Sequence, residues 1–157
     1  MRRSVDIEVN GATWSVDVEP AEVLLDVLRE KIGIKSPKIG CERGDCGSCT
    51  VLIDGQTVRS CLVLAVEVDG HEITTLEGLA GDGLAALQQK LVEMSSFQCG
   101  FCAPGIVLSV HELIQHVPHP GREEIEEAIS GNLCRCTGYD PIVDAVLAVV
   151  GGEGETT

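Results

Sequence analysis

The sequence predicts an α+β fold in two parts, a sheet-rich N-terminal part and a helical C-terminal part. Up to about residue 76, apolar residues alternate along short segments that are separated by Asn-Gly and Asp-Gly turns. From about residue 78, apolar residues recur every three or four positions, as they do on one face of a helix. We therefore divide the 157-residue chain into two domains, residues 1–77 and residues 78–157.

The N-terminal domain is predicted to contain two β-hairpins and one helix. Alternating apolar residues flank Asn10–Gly11 and predict the first hairpin, and Asp54–Gly55 is the turn of the second. Between them, Pro20 opens a helical pattern that ends near Gly33. Residues 62–76 are predicted to supply further strands. Two hairpins around one helix indicate a small ferredoxin-like β-grasp.

The C-terminal domain is predicted to contain four helices. Their expected spans are about 84–94, 104–117, 122–129 and 140–150. Pro104 stands at the first position of the second helix, where a missing backbone N–H leaves no hydrogen bond unmade. Glu123 and Glu124 lie in the first turn of the third, where negative charge is favoured. We expect a four-helix bundle with cysteine pairs at the junctions between helices.

Four cysteines in the N-terminal domain form the first candidate metal site. Cys41, Cys46 and Cys49 have the spacing C-x4-C-x2-C, and Cys61 is the candidate for a fourth ligand. This is the spacing of plant-type [2Fe-2S] ferredoxins, in which a loop surrounds the cluster and a distant cysteine completes it. Neighbouring glycines allow backbone N–H groups to point at the negatively charged sulfurs. The pattern therefore predicts an iron-sulfur cluster.

Four further cysteines form the second candidate site. Cys99 and Cys102 form a C-x2-C, and Cys134 and Cys136 form a C-x-C. Four thiolates select zinc, copper(I) or an iron-sulfur cluster over hard cations. Because C-x-C is unusual among zinc sites, the spacing favours an iron-sulfur cluster. A structural zinc site and a disulfide-bonded protein remain the alternatives.

Charge and hydropathy restrict the location and the partners of the protein. The formal net charge is −14, and most of it falls in residues 61–157, which argues against nucleic acid as a partner. No apolar run is long enough to span a bilayer, and the N-terminus lacks a hydrophobic signal region. We therefore expect a cytoplasmic protein with reduced cysteines. Five cations near the first cysteine loop are either solvated surface or a rim for docking a partner: Arg29, Lys31, Lys35, Lys38 and Arg43.

Three motifs occur in order along the chain and carry a family resemblance. They are GCERGDCGSCTV at 40–51, QCGFCAPG at 98–105 and GNLCRCTGY at 131–139. Together they closely resemble the iron-sulfur subunit of the xanthine-oxidase family of molybdenum hydroxylases. The resemblance covers nearly the whole chain.

The resemblance implies one [2Fe-2S] cluster in each domain. The plant-type cluster would lie nearer a medium subunit that binds FAD, and the helical-domain cluster would lie near molybdopterin on a large subunit. Gln98 would form a hydrogen bond with the pterin. The three subunits would form a heterotrimer or its dimer, in which this chain relays electrons from molybdopterin to FAD. The chain would be a subunit of an oxidoreductase and would have no catalytic activity by itself. Its sequence does not reveal the substrate of the complex.

A free two-cluster ferredoxin-like carrier, or a redox-sensing module without a molybdenum partner, is the alternative function. The helical domain argues against a simple carrier, because a plant-type carrier needs only the first 77 or so residues.

Overall fold

A five-stranded mixed sheet forms the N-terminal part of the protein. The computed structural model describes residues 2–79 and 84–151. The strands are β1 (Arg3–Val9), β2 (Ala12–Val18), β3 (Thr50–Ile53), β4 (Gln56–Arg59) and β5 (Glu72–Thr74). Their order in the sheet is β2-β1-β5-β3-β4, and β1 and β5 are the parallel pair.

Both predicted hairpins are confirmed. Val9 pairs with Ala12 across the Asn10–Gly11 turn, and Ile53 pairs with Gln56 across the second turn. The prediction of further strands within residues 62–76 is right only for β5. Ala65–Glu67 forms a 3₁₀ turn instead, in which the backbone N–H of residue 64 is capped by the Glu67 carboxylate.

The N-terminal helix begins later than its sequence pattern predicts. It starts as α1 (Leu24–Asp26) and continues as a π-helix over Val27–Ile32. Val23 forms an isolated antiparallel bridge with Leu64, and this pairing holds the chain extended up to the first helical residue. The helix ends as predicted at Gly33, whose φ of 90° lies in the left-handed region.

Within the described residues, the C-terminal part contains four α-helices, as the sequence predicts. They are α2 (Leu84–Glu93), α3 (Ala103–His116), α4 (Arg122–Ile129) and α5 (Asp140–Gly151). Helix α5 packs against α2 and α4, and α3 packs against α4. Within the two described ranges, no helix has the length and apolar character needed to cross a membrane. The five-stranded sheet and these helices confirm the predicted α+β class.

Strand β3 is shared by two hydrophobic cores. Val51 packs with Ile7 and Leu28 in the core between the sheet and the N-terminal helix. Leu52 packs with Ile106 and other residues of the helical part. Because successive side chains of a strand point to opposite faces, the two cores lie on either side of β3. The predicted domain boundary after residue 77 adjoins residues 80–83, which lie outside the described ranges, and it stays a prediction.

Candidate metal centres

The β3–β4 hairpin brings Cys61 to the first cysteine loop. Thr50 pairs with Arg59 at the open end of this hairpin, so the residues just outside the pair also lie side by side. The Ser60 hydroxyl donates a hydrogen bond to the Cys49 carbonyl at 2.6 Å, which fixes the two chain segments together. Cys49 and Cys61 are buried, at 3% and 7% exposure. The geometry of the β3–β4 hairpin therefore places Cys61 beside Cys49, although the two residues are distant in the sequence.

Backbone N–H groups surround the outer part of this site, as the sequence predicts. The N–H groups of Arg43 and Cys46 donate to the Cys41 sulfur and lower the pKa of that thiol to about 7. The bond from Cys46 measures 3.4 Å. Burial and the neighbouring Cys49 thiol raise the pKa of Cys61 to about 11. The Cys41 sulfur is thus prepared for negative charge, whereas the buried Cys61 thiol needs a nearby cation to become a thiolate.

The second site lies where α3 begins and where α4 connects to α5. Cys102 is the N-cap residue of α3 and is buried, at 6% exposure. Burial and the Cys134 thiol raise the pKa of Cys102 to about 12. Cys99 and Cys136 are exposed, and their sulfur atoms lie 3.7 Å apart. The site therefore has an inner pair and an outer pair, like the first.

The eight cysteines come together two by two. The pairs in contact are Cys41 with Cys46, Cys49 with Cys61, Cys99 with Cys136, and Cys102 with Cys134. All eight are free thiols. Among the described residues, no three side chains of the metal-binding types converge as they would around a single ion. Two thiolates for each iron are what a four-cysteine [2Fe-2S] cluster requires, so the donor set fits such clusters.

Two side chains of the α4–α5 connection hold Cys134 in place. The Tyr139 hydroxyl accepts a hydrogen bond from the Cys134 N–H at 2.8 Å and donates to the Asn132 carbonyl at 3.1 Å. The Thr137 hydroxyl lies 3.1 Å from the Cys134 sulfur. Burial alone would raise the pKa of Cys134, but hydrogen bonds from Thr137 and nearby backbone N–H groups leave it below its ordinary value.

The two cysteine loops contact each other directly. The Leu133 N–H donates to the Cys46 carbonyl at 2.9 Å. Asn132, at 1% exposure, donates its amide to the Gly47 carbonyl at 3.2 Å. Arg59 donates to the Gly131 carbonyl at 2.9 Å. These bonds fix the two candidate sites at a defined position relative to each other.

Gly47 permits this close approach of the loops. Its φ of 73° is left-handed, and a Cβ at this position would overlap the carbonyl oxygen of Gly131. Gly105 lies in the first turn of α3, and a Cβ there would lie 2.5 Å from the Gly47 carbonyl oxygen. Both glycines are therefore needed for the close contact of the first cysteine loop with the helical part.

Gln98 lies at the exposed cysteine pair of the second site. Its side-chain amide donates to the Cys136 carbonyl at 3.0 Å. This bond satisfies part of the amide within the chain and holds the side chain beside the surface sulfurs. The contact with a pterin remains a prediction.

The cations near the first loop are engaged within the chain. Arg29 donates to the Lys35 and Pro37 carbonyls, and so supports the backbone leading to Cys41. Lys38 lies over the ring of Phe101, 5.8 Å from its centroid, and this contact joins the two sites. These contacts give the cations structural roles and leave a docking role as a prediction.

The site includes residues that the sequence analysis did not single out. Asn132, Thr137 and Tyr139 lie within the third motif, where the spacing predicts a chemical role only for the cysteines. Gly138 before Tyr139 is a signal for a left-handed turn, and both residues have positive φ. Arg59 carries no such signal, because its partner is distant in the sequence.

Comparisons with known proteins identify the domain types. Residues 7–85 match the 2Fe-2S iron-sulfur cluster binding domain, and residues 75–147 match the [2Fe-2S] binding domain. The chain is 48% identical to the nicotine 6-hydroxylase small subunit of Paenarthrobacter nicotinovorans, over 98% of this chain and 93% of that protein.

Solved structures show the same fold over the whole chain. A chain of quinoline 2-oxidoreductase from Pseudomonas putida 86 superposes with a TM-score of 0.90 at 45% identity, over 99% of both chains. Aldehyde oxidoreductase from Desulfovibrio gigas gives a TM-score of 0.88 at 40% identity, over 98% of this chain and 18% of that chain.

Proposed function

The chain belongs to the iron-sulfur small subunits of the xanthine-oxidase-family dehydrogenases, and from this membership we propose how its residues serve that role. It is an electron-transfer subunit of a multi-subunit oxidoreductase and has two [2Fe-2S] domains. The sheet-rich part corresponds to a β-grasp, and the four C-terminal helices pack as a bundle. The substrate reaction takes place on a partner subunit.

The ligands of the two clusters are the two cysteine quartets. Cys41, Cys46, Cys49 and Cys61 hold the plant-type cluster, and Cys99, Cys102, Cys134 and Cys136 hold the helical-domain cluster. The observation that carries this assignment is the approach of all eight cysteines in four pairs. In two pairs, burial and the partner thiol raise the pKa of one member, so a cation between the sulfurs would stabilise both thiolates.

When bound, each [2Fe-2S] cluster takes up and releases one electron at a time, which suits the transfer of electrons from a molybdenum centre to a flavin in single steps. At each site the chain leaves an outer pair of thiols at least partly exposed. Because free cysteine is usually among the most buried residue types, this exposure favours contact with a partner subunit. We assign the exposed Cys99 and Cys136 pair, with Gln98, to the molybdopterin-binding large subunit. The Cys41 and Cys46 pair faces the FAD-binding medium subunit.

These assignments describe a cytoplasmic heterotrimer or its dimer. The names of two relatives, nicotine 6-hydroxylase and quinoline 2-oxidoreductase, denote oxidation of N-heteroaromatic compounds, and a third denotes oxidation of aldehydes. N-heteroaromatic compounds and aldehydes are therefore the two substrate classes to compare in the assembled complex.

Purification of the native complex through an affinity tag on this chain tests the proposal. We expect two larger chains to co-purify, together with molybdenum and FAD in amounts equal to this chain. Addition of substrate without an acceptor should bleach the visible absorption of the clusters. Recovery of the chain as a functional monomer without molybdenum would favour the free carrier.

A further inference from the structure

We infer that the Thr137 hydroxyl donates a hydrogen bond to the Cys134 sulfur and raises the reduction potential of the helical-domain site. The Thr137 oxygen lies 3.1 Å from that sulfur. This inference rests on the proposed ligand set, because it requires Cys134 to hold iron. Thr137 would then adjust the reduction potential of the site through its contact with Cys134.

The direction of this hydrogen bond follows from the other partner of the hydroxyl. The Tyr139 backbone N–H donates to the Thr137 oxygen at 3.3 Å and so occupies one of its lone pairs. A hydroxyl has one hydrogen to donate. An iron-bound thiolate has no proton, so the hydrogen between Thr137 and Cys134 must come from Thr137. Tyr139 therefore orients Thr137 as a donor to sulfur.

The turn that follows Thr137 is built at a conformational cost. Gly138 and Tyr139 both have left-handed backbone angles, with φ of 71° and 72°. A residue other than glycine adopts this conformation only at an energetic cost. This geometry directs the N–H of Tyr139 to Thr137 and its hydroxyl to the Cys134 N–H and the Asn132 carbonyl. Tyr139, which has the left-handed angles, thus contacts both the proposed ligand Cys134 and its hydrogen-bond donor Thr137.

Cys134 has a side-chain donor in addition to backbone N–H groups, whereas Cys41 of the first site is bonded by backbone donors. There, Cys41 receives backbone N–H groups of Arg43, Cys46 and Asp45, and substitution of a side chain does not remove them. Thr137 can be changed without changing the backbone. The two sites therefore respond differently to a substitution of Thr137, and the first site serves as an internal control.

A hydrogen bond to a ligand sulfur draws electron density from the iron and stabilises the reduced form. Loss of the hydroxyl should therefore shift the ratio of reduced to oxidised helical-domain cluster roughly three- to tenfold at a fixed potential. At 59 mV for each tenfold change, this is about 30–60 mV.

A redox titration of the assembled complex, followed by electron paramagnetic resonance, tests the inference. Thr137→Val removes the hydroxyl and keeps the shape of the side chain, whereas Thr137→Ser keeps the hydroxyl. We expect Thr137→Val to lower the midpoint potential of one of the two cluster signals and to leave the other unchanged. Thr137→Ser should restore the wild-type value.

Thr137→Ala provides a second comparison, because it differs from Thr137→Ser only by the hydroxyl. If Thr137→Val fails to assemble, the midpoint potentials of the Ala and Ser variants decide the question. Equal potentials with and without the hydroxyl would overturn the inference, as would equal shifts in both signals. Loss of the signal in both hydroxyl-free variants would overturn it too, by giving the hydroxyl a role in holding the site. Absence of two cluster signals from the wild type would instead refute the proposed function.

Discussion

The backbone N–H of Leu133 donates a hydrogen bond to the carbonyl of Cys46 at 2.9 Å. Leu133 directly precedes Cys134, so this bond joins a proposed ligand of one cluster to the neighbour of a proposed ligand of the other. The bond is supported by the buried Asn132 amide and by the Arg59 guanidinium. The relative position of the two sites is therefore fixed by the cysteine loops themselves.

Gly47→Ala should destabilise the contact between the two loops. Any non-glycine residue at its φ of 73° costs about 1–2 kcal/mol, and overlap with the backbone of Gly131 should add about 1–3 kcal/mol. Gly55→Ala is the matched control, because Gly55 has a φ of 82° but no atom within 4 Å of an added Cβ. Urea unfolding of the cluster-loaded chain measures both. Equal losses would contradict a close approach at Gly47.

Tyr139→Phe should weaken the helical-domain site without affecting the first. The substitution removes the hydroxyl that bridges the Cys134 N–H and the Asn132 carbonyl and leaves two polar groups without this partner. Such groups cost about 1–3 kcal/mol when they are shielded from water, so release of iron to a chelator should become roughly fivefold faster or more. Bleaching of the cluster absorption measures the rate. Unchanged release of the labile half of the iron would show that the hydroxyl does not support the loop.

Glu77 links the approach to the first cysteine loop with the end of the sheet. Its carboxylate accepts hydrogen bonds from the Ser36 N–H at 3.0 Å and from the Thr75 hydroxyl at 2.7 Å. Burial alone would raise the pKa of Glu77, but the hydrogen bonds from Ser36 and Thr75 outweigh it and lower the pKa below its ordinary value. A carboxyl group with a lowered folded-state pKa stabilises the fold above its unfolded value, and this contribution is lost as the pH falls through the folded value.

Glu77→Gln should therefore reduce the free energy of unfolding at pH 7, and the difference from wild type should shrink as the pH falls below about 4.5. Urea unfolding at several pH values between about 7 and 3 measures this difference. Glu127→Gln, on the exposed side of α4, controls for the general loss of one negative charge. A difference that stays constant with pH would mean that the charge of Glu77 plays no part.

Single cysteine substitutions should remove one cluster at a time. Cys61→Ala should abolish the plant-type cluster, and Cys102→Ala should abolish the helical-domain cluster. Each variant should keep about half of the iron and one of the two paramagnetic signals of the reduced protein. Retention of both signals in Cys61→Ala would show that another residue closes the first site.

Local patterns in the sequence predicted most of the elements correctly. The bounds of α4 agree because glutamates mark its first turn and Gly131 follows its last. The start of α1 could not be predicted from Pro20, since it depends on pairing between Val23 and Leu64. A 3₁₀ turn stands where strands were expected around residue 66. This difference also depends on a contact distant in the sequence, because the Ala65 N–H donates a hydrogen bond to the Glu22 carbonyl.

The cysteine spacing predicted the candidate sites but not their surroundings. The spacing also indicated which cysteines belong together, and the family resemblance implied the same two quartets. The bonds from Asn132 to Gly47 and from Leu133 to Cys46 join residues that are far apart in the chain, and they form only when β3 packs between two cores. The donor role of Thr137 depends on the left-handed turn at Tyr139, which no periodic pattern reveals.

The most direct test of the account is the metal content of the protein purified without oxygen. Two [2Fe-2S] clusters require about four iron and four sulfide per chain, and the reduced protein should give two distinct paramagnetic signals. Zinc in place of iron, or cysteines joined in disulfides with no iron present, would contradict the central claim.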